Sequence, residues 1–116
     1  MSKFIFLQYV DESRAPRPGS PELQMVIDAF ASYLEELKAA GVFHDGDPCQ
    51  LSATTFSVTA HEGRTQVTDG PAHPGSLWLN GYFVLNCKDR TEAAGWAAKN
   101  PAARMGTVEV HPILVL

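Results

Sequence analysis

Residues 79–87 read Leu-Asn-Gly-Tyr-Phe-Val-Leu-Asn-Cys, which predicts a β-strand that is apolar on both of its sides. Phe83 and Leu85 alternate with Tyr82 and Val84, and alternate residues of a strand point to opposite faces of its sheet. A strand with large apolar side chains on both faces is expected to be buried on both faces. Each face of this strand therefore needs a layer that covers it.

A long amphipathic helix is predicted to supply one layer. Ser20-Pro21-Glu22 is a helix start, because Ser caps the first turn, Pro fits the first helical position and Glu lies at the positive end of the helix dipole. Gly41 ends this helix. A second helix is predicted from Asp89, which with Glu92 resembles a capping box, to about Lys99. Apolar residues recur at helical spacing in the first helix, at Leu23, Val26, Ile27, Phe30, Leu34 and Leu37.

Short β-branched and aromatic segments predict the remaining strands. A hairpin with its turn at Glu62-Gly63 joins two of these segments. The pattern His44-Asp45-Gly46-Asp47-Pro48 predicts a turn, and this interpretation is preferred to a metal site because no paired His or Cys spacing supports zinc. The segments predicted as extended are Lys3–Val10, Val42–Phe43, Thr54–His61, Arg64–Thr68 and Thr107–Val115.

The order of these elements predicts a single α+β domain over residues 1–116 with the ferredoxin-like plan, an antiparallel sheet with two helices on one face. The other face would still carry Ile5, Leu7, Tyr82 and Val84. A symmetric partner that packs sheet against sheet would cover them. We therefore expect a homodimer of the dimeric α/β barrel type, whose two sheets enclose a partly polar cavity.

Composition argues against several classes of function. The 116 residues carry nine Lys and Arg, and the net charge of -4 opposes a nucleic-acid partner. No apolar run reaches membrane-spanning length, and Gln8 and Asp11 interrupt the N-terminal segment too early for a signal peptide. The cytoplasm is the default location.

Cys49 and Cys87 form no CxxC pair and are interpreted as reduced thiols.

Several segments, in this order and spacing, resemble the YCII-related superfamily in its DGPF-domain branch. They are residues 3–9, 35–42, 63–65, 67–71, 81–83, 92–93, 96–98, 101–104 and 108–113. The resemblance implies a dimeric ferredoxin-like fold and, for most members, no settled activity. Some relatives look like small lyases or dehydrochlorinases that use a His and Asp pair. Others are similar to proteins associated with sigma factors of the extracytoplasmic-function type.

The chain departs from this family pattern at three places. Ala72 follows Asp-Gly-Pro where relatives carry Phe, and His73-Pro74-Gly75-Ser76-Leu77-Trp78 stands where relatives have an acidic and lysine-containing stretch. His111 precedes the final Pro where relatives often have Arg. The scaffold is therefore expected to transfer better than any ligand preference.

The turn Thr68-Asp69-Gly70-Pro71 holds the leading candidate for chemistry, Asp69. Asp can cap its own turn, Gly supplies unusual backbone angles and Pro ends the strand ladder, so the corner is expected to be rigid. Asp69 would act as an acid, a base or a ligand anchor, or would only bond its own backbone. His73 lies four residues on, where a carboxylate could orient its imidazole as a general base.

A second group of candidates lies on the strands. If Val108 and Val110 face the helices, Glu109 and His111 face the expected dimer cavity, and Tyr9 joins them if its register agrees. The predicted catalytic residues are Asp69, His73 and His111, and the predicted ligand-binding residues are Tyr9, Asp69, Gly70, Pro71 and His111.

Three functions are open at this point. The first is a homodimer that binds a small molecule, with cofactor-free and metal-free acid/base chemistry, such as elimination or isomerisation, if it is an enzyme. The second is a non-catalytic interaction module that partners an extracytoplasmic-function sigma factor. The third is a structural dimer whose cavity is only a packing imperfection.

Overall fold

A four-stranded antiparallel sheet with helices packed on one face forms the body of the computed structural model, which describes residues 1–116. The sheet order is β2-β5-β1-β6, which is the ferredoxin-like arrangement, and β3 pairs only with β4 in a separate hairpin. The strands are β1 (Ser2–Asp11), β2 (Phe43–Pro48), β3 (Phe56–His61), β4 (Arg64–Asp69), β5 (Leu77–Cys87) and β6 (Gly106–Pro112). The helices are α1 (Pro21–Ala39), α2 (Arg90–Lys99) and α3 (Ala102–Met105).

The two predicted helices begin where their capping residues indicate. Ser20 Oγ accepts a hydrogen bond from the Leu23 backbone N–H at 3.1 Å, which satisfies a free donor in the first turn of α1. Asp89 does the same for the N–H of Glu92 at 2.9 Å. Gly41, with φ of 73°, follows α1 in the left-handed conformation that ends many helices. Both helix predictions are confirmed.

The hydrophobic core lies between the helices and one face of the sheet, called here the covered face. Phe4 and Phe6 of β1 alternate with partly exposed residues and contribute to this core, and Val108 and Val110 of β6 pack against it. From α1, Tyr33 and Leu37 are buried, and the Tyr33 hydroxyl donates to the Trp96 backbone oxygen at 2.8 Å. The core therefore contains the alternate strand residues that the sequence pattern selects.

The opposite face of the sheet, called here the open face, has no layer of the chain over it. Ile5, Leu7 and Val84 keep an intermediate exposure, since only their neighbours in the sheet shield them. Glu109 lies opposite Leu7 and His111 lies opposite Ile5, and both are exposed on this face. The predicted alternation of apolar residues on the central strands is confirmed, and burial of both faces stays a prediction.

Two sequence predictions about extended segments are wrong: the turn at residues 44–48, and the placement of all strands in one sheet. Residues 44–48 form most of β2 rather than a turn, because they pair with β5 and the irregularity at His44 is absorbed as a bulge. Gly46 makes this pairing possible, since a Cβ there would lie 2.7 Å from Cδ1 of Phe83. The hairpin of β3 and β4 does not join the main sheet, and no residue in it is buried.

The end of the chain also differs from its prediction. The last strand ends at Pro112 rather than Val115, although the Ile113 N–H still donates to the Lys3 carbonyl at 2.9 Å. The short helix α3 follows Asn100 and was not predicted, because four residues are too few to establish a helical period.

Candidate functional site

A cavity of about 620 Å³ opens where the hairpin and the β4–β5 loop meet the open face. Tyr9 of β1 and Leu79 of β5, which are paired neighbours, supply its sheet side. The rest of its wall comes from Glu12, Cys49, Ser52, Thr55, Ser57 and residues 71–78. We call this space the loop cavity.

An ionised clamp holds one side of the loop cavity in place. The carboxylate of Glu12 accepts hydrogen bonds from both the backbone N–H of Ser52, at 2.7 Å, and the Ser52 hydroxyl. These bonds favour the charged carboxylate and lower the pKa of Glu12, with the Ser52 side chain as the larger cause. Glu12 is therefore better suited to hold the Ser52 segment than to accept a proton.

Gly70 anchors the corner that was predicted to be rigid. Its φ of 101° is a conformation that side chains disfavour, and its N–H donates to the Thr55 carbonyl at 2.8 Å. The Ser57 hydroxyl donates to the Gly70 carbonyl, also at 2.8 Å. The loop that begins at Pro71 therefore leaves the hairpin at a fixed point and runs along the loop cavity.

The structure brings some predicted site residues together and keeps others apart. Tyr9, Pro71 and His73 line the loop cavity. Asp69 ends β4 opposite Phe56 and is exposed, and neither Asp69 nor Gly70 is part of the lining. No hydrogen bond joins the Asp69 carboxylate to the His73 imidazole.

His111 lies on a different part of the open face. Its partner Ile5 is four residues from Tyr9 along β1, a separation of about 13 Å at the usual rise of a strand. His111 Nε2 lies 2.6 Å from Glu109 Oε1, and both side chains are about half exposed. A carboxylate in this position can accept a hydrogen bond from the imidazole and fix the orientation of the ring.

Sequence reasoning did not select Tyr82 as a site residue. Its hydroxyl lies 3.5 Å from one carboxylate oxygen each of Asp45 and Asp47 on β2. Desolvation is the main cause that raises the pKa of Tyr82, and the two carboxylates add to it. Only the pairing of β2 with β5 brings these groups together, and the sequence pattern assigned the two aspartates to a turn.

A second cavity, of about 390 Å³, lies between α1 and the covered face, and we call it the helix cavity. Its walls are mostly apolar and include Val26, Ile27, Phe30 and Leu34 of α1 and Trp78 and Phe83 of β5. Gln8 and Asn80 are its amide-bearing residues. Periodicity alone did not reveal this space, because it predicted that the whole apolar side of α1 packs on the sheet.

Two further structural observations bear on the kind of site present. No group of three or more His, Cys, Asp or Glu side chains is placed to hold one metal ion. None of the helices has both the length and the apolar character that a membrane crossing requires.

Comparisons with known proteins bear on family and fold. The model of the YCII-related domain matches residues 2–116. A search of curated proteins finds no match. Among solved structures, the chain is similar to 5-chloro-2-hydroxyhydroquinone dehydrochlorinase from Burkholderia phenoliruptrix AC1100, solved with 2,5-dihydroxybenzoquinone. The identity is 20%, the match covers 94% of this chain and 90% of that chain, and the TM-score is 0.46. A likeness at this level carries no argument about the ligand of this chain.

Proposed function

This chain belongs to the YCII-related family, and from that premise we propose that it is a homodimer that binds a small molecule in the loop cavity, close to the dimer interface. The observation that carries the proposal is a cavity of about 620 Å³ at the end of an apolar sheet face that no part of the chain covers. Pockets of this size are typical of small-molecule sites. The proposed chemistry is cofactor-free proton transfer, as in an elimination or an isomerisation.

The shape of the single chain supports the homodimer. The accessible surface is 8295 Å², whereas a folded monomer of 12.6 kDa exposes about 6,200 Å². The radius of gyration is 15.9 Å, against about 13 Å for a compact domain of this length. The molecule is only 18 Å across its thinnest direction. The excess surface is larger than the roughly 800 Å² that each partner buries in an interface of standard size.

The open face is the surface that a second copy would cover. Its centre carries the apolar Ile5, Leu7 and Val84 together with Tyr82, and the edge strands β2 and β6 carry Asp45, Asp47, Glu109 and His111. Two sheets packed in this way form the aligned arrangement of a β-sandwich. The loop cavity lies at one end of this face, so a partner would help to close it.

The residues proposed for chemistry are those that place ionisable groups on this side of the sheet. His73 and Tyr9 line the loop cavity and supply an imidazole and a phenol to a bound molecule. His111, oriented by Glu109, supplies a second imidazole on the open face. Asp69, Gly70 and Pro71 form the corner from which the His73 loop leaves the hairpin, and Asp69 offers a carboxylate there.

The dimer is tested by sedimentation velocity on the wild-type protein and on Leu7→Lys. A charge at the centre of the open face should give folded monomers, because a lysine cannot be buried unpaired in an apolar interface. Met25→Lys is the matched control, since Met25 is 71% exposed on α1. Stable wild-type monomers at micromolar concentration would contradict the homodimer.

The ligand site is tested by native mass spectrometry of the gently purified protein, together with crystals inspected near Tyr9 and His73. We expect one small-molecule adduct per protomer, which is lost in His73→Gln without loss of the fold. Asp69→Asn tests whether the exposed carboxylate at the corner, outside the cavity lining, also contributes to binding. An adduct retained at wild-type occupancy in both variants would remove these side chains from the site.

A second candidate function is a non-catalytic interaction module for an extracytoplasmic-function sigma factor. The hairpin of β3 and β4 favours it, because Phe56, Val58 and Val67 are each more than half exposed. Exposed apolar side chains on a projecting ribbon are typical of a protein-binding surface. Co-purification with a sigma factor that is lost in Phe56→Ser would favour this function over ligand binding.

A further inference from the structure

We propose that the helix cavity binds a small neutral aromatic carbonyl compound, whose oxygen accepts a hydrogen bond from the side-chain amide of Asn80. This site is on the covered face, and it shares only the lining residues Cys49 and Trp78 with the loop cavity. It therefore requires neither the homodimer nor the ligand proposed above.

The cavity exists because the apolar side of α1 is longer than the part that reaches the sheet. Tyr33 and Leu37, in its C-terminal half, are buried in the core. In the N-terminal half Val26 and Phe30 are only partly buried, and Ile27 is 50% exposed although it lies on the apolar side. These side chains form one wall of an unfilled groove whose volume of about 390 Å³ is in the range of small-molecule pockets.

A β-bulge directs Asn80 into this groove. Gln8 pairs with Gly81 and Tyr9 pairs with Leu79, so Asn80 has no partner residue on β1. Bulges of this kind turn a side chain away from the regular alternation of a strand and occur next to binding sites. Gly81 leaves the space for the neighbouring amide, because a Cβ there would lie 3.0 Å from Gln8 Nε2.

Two buried amides, those of Asn100 and Gln8, fix which end of the Asn80 side chain accepts a hydrogen bond and which end is left as a donor. The backbone N–H of Ala102 can only donate, and it donates to Asn100 Oδ1 at 2.8 Å. Asn100 Nδ2 must therefore be the end that donates to Gln8 Oε1, at 2.9 Å. Gln8 Nε2 then donates to Asn80 Oδ1, at 3.1 Å. Each amide is oriented by the one before it, and the last is left with its amino group, Nδ2.

The amino group of Asn80 is a free donor at an apolar site. It donates to no protein group, and since the structure contains no buried polar side-chain atom without a partner, Nδ2 is not fully buried. Asn80 lines the helix cavity, and this is the space into which we propose that Nδ2 donates. A ligand that pairs with it needs an acceptor, such as a carbonyl oxygen.

The other walls define the rest of the ligand. Phe30, Trp78 and Phe83 favour a flat ring, because aromatic side chains pack on rings edge-to-face or offset. No Lys, Arg or His lines this mostly apolar cavity, so a buried anion would have no charge partner there. The ligand class is therefore a neutral aromatic ketone, aldehyde or ester rather than an aromatic acid.

The test uses three probes of similar size in a titration followed by NMR: acetophenone, ethylbenzene and benzoate. Acetophenone should shift the side-chain amide signals of Asn80 and the methyl signals of Ile27, and leave the His73 imidazole, in the loop cavity, unchanged. It should bind about threefold to tenfold more tightly than ethylbenzene, since a net hydrogen bond has that effect on a dissociation constant. Benzoate should bind more weakly than acetophenone.

Three variants distinguish the contribution of the Asn80 donor to binding from the contribution of the apolar groove. Asn80→Asp keeps an oxygen to accept from Gln8 but removes Nδ2, so it should abolish the preference for acetophenone over ethylbenzene. Asn86→Asp is the matched control on the same strand, because Asn86 does not line the cavity, and it should bind both probes like the wild type. Ala31→Trp should fill the groove from the exposed side of α1 and reduce binding of both neutral probes.

Three outcomes would overturn the proposal. The first is no shift of Ile27 with acetophenone at millimolar concentration. The second is an unchanged preference for acetophenone in folded Asn80→Asp. The third is a set of Ile27 shifts that follow protein concentration rather than probe concentration, which would make the groove an interface between copies of this chain.

Discussion

The covered and open faces of the sheet are built from the same strands but treat their polar groups in different ways. On the covered face, Gln8 and Asn100 are buried and joined amide to amide, and no buried side-chain polar atom is left without a partner. On the open face, Glu109 and His111 pair with each other at one edge, and the centre is apolar. The polar side chains of the covered face are thus linked to one another by hydrogen bonds, whereas the charged side chains of the open face lie on its edge strands.

This difference indicates what each face is suited to do. A buried amide chain has one allowed set of hydrogen bonds, so it fixes geometry and presents a donor of defined position. The imidazole and phenol groups on the other side are accessible and can exchange protons with solvent or a ligand. The defined donor supports the recognition proposed for the covered face, and the apolar centre and accessible ionisable groups support the association and proton transfer proposed for the open face.

The largest expected contrast is in thiol chemistry. Burial raises the pKa of Cys87, at the end of β5 on the covered face, to about 11, and Cys49 is exposed. At pH 8 a thiol with this pKa is about one part in a thousand thiolate, which is the reactive form. Iodoacetamide should therefore modify Cys49 and leave Cys87 unmodified in the native protein, as peptide mapping would show.

Two controls accompany the thiol experiment. Cys49→Ser should remove the fast reaction, and both thiols should react in denaturant. Comparable rates for the two thiols in the native protein would show that the covered face opens readily and would remove the distinction between the faces.

The next largest effect is expected from truncating neighbours on opposite faces. Phe6 is fully buried, so Phe6→Ala should lower the free energy of unfolding by about 3–5 kcal/mol at any protein concentration. Leu7→Ala removes a side chain from the open face, and its cost should depend on protein concentration if a partner covers that face. Urea unfolding at two concentrations a hundredfold apart makes the comparison. Equal, concentration-independent losses would mean that the two faces do not differ.

The amide chain is expected to be the next most sensitive feature. Asn100→Leu removes partners from Gln8 Oε1 and from the Ala102 N–H, both in the core. Leaving a buried polar group unsatisfied costs about 1–3 kcal/mol. The variant should unfold at lower urea, and the Asn80 amide signals in the helix cavity should move although Asn80 is unchanged. Unmoved Asn80 signals would show that the three amides do not act as a chain.

The sequence contained enough to predict the sheet and the main helices but not the cavities. Strand alternation at Phe4 and Phe6 and the caps at Ser20 and Asp89 are local signals, and local signals fix these elements. The turn prediction for residues 44–48 is wrong because Gly46 pairs with Phe83, which lies 37 positions further along the chain. A local sequence pattern contains no information about that pairing. Long-range pairing overrode the turn chemistry.

The candidate sites depend even more on distant residues. Tyr9 and His73 line one cavity only because the corner at Gly70 directs the loop back toward β1. The helix cavity depends on how far α1 stands from the sheet, which no spacing encodes. The sequence did contain one signal of the amide chain. Gln8 follows Phe4 and Phe6 in the alternation of β1, so it lies on the buried side, and a polar side chain at a buried position requires a polar partner.

The smallest expected effect concerns the clamp at the loop cavity, and it depends on pH. The bonds from Ser52 lower the pKa of Glu12 below 4.5 in the folded chain. A carboxyl with a lowered pKa contributes stability that is present above its unfolded pKa and is lost as the pH falls through its folded pKa. Ser52→Ala should therefore unfold more easily than the wild type at pH 7, and the difference should shrink in acid below that folded pKa.

The control is Ser13→Ala, which removes a similar bond to Asp11 within one short turn. Because that bond spans two residues and the Glu12–Ser52 bond spans 40, only Ser52→Ala should also change the His73 signals of the loop cavity. A gap between wild type and Ser52→Ala that widens in acid would reverse the sign and show that Glu12 is not held as a carboxylate.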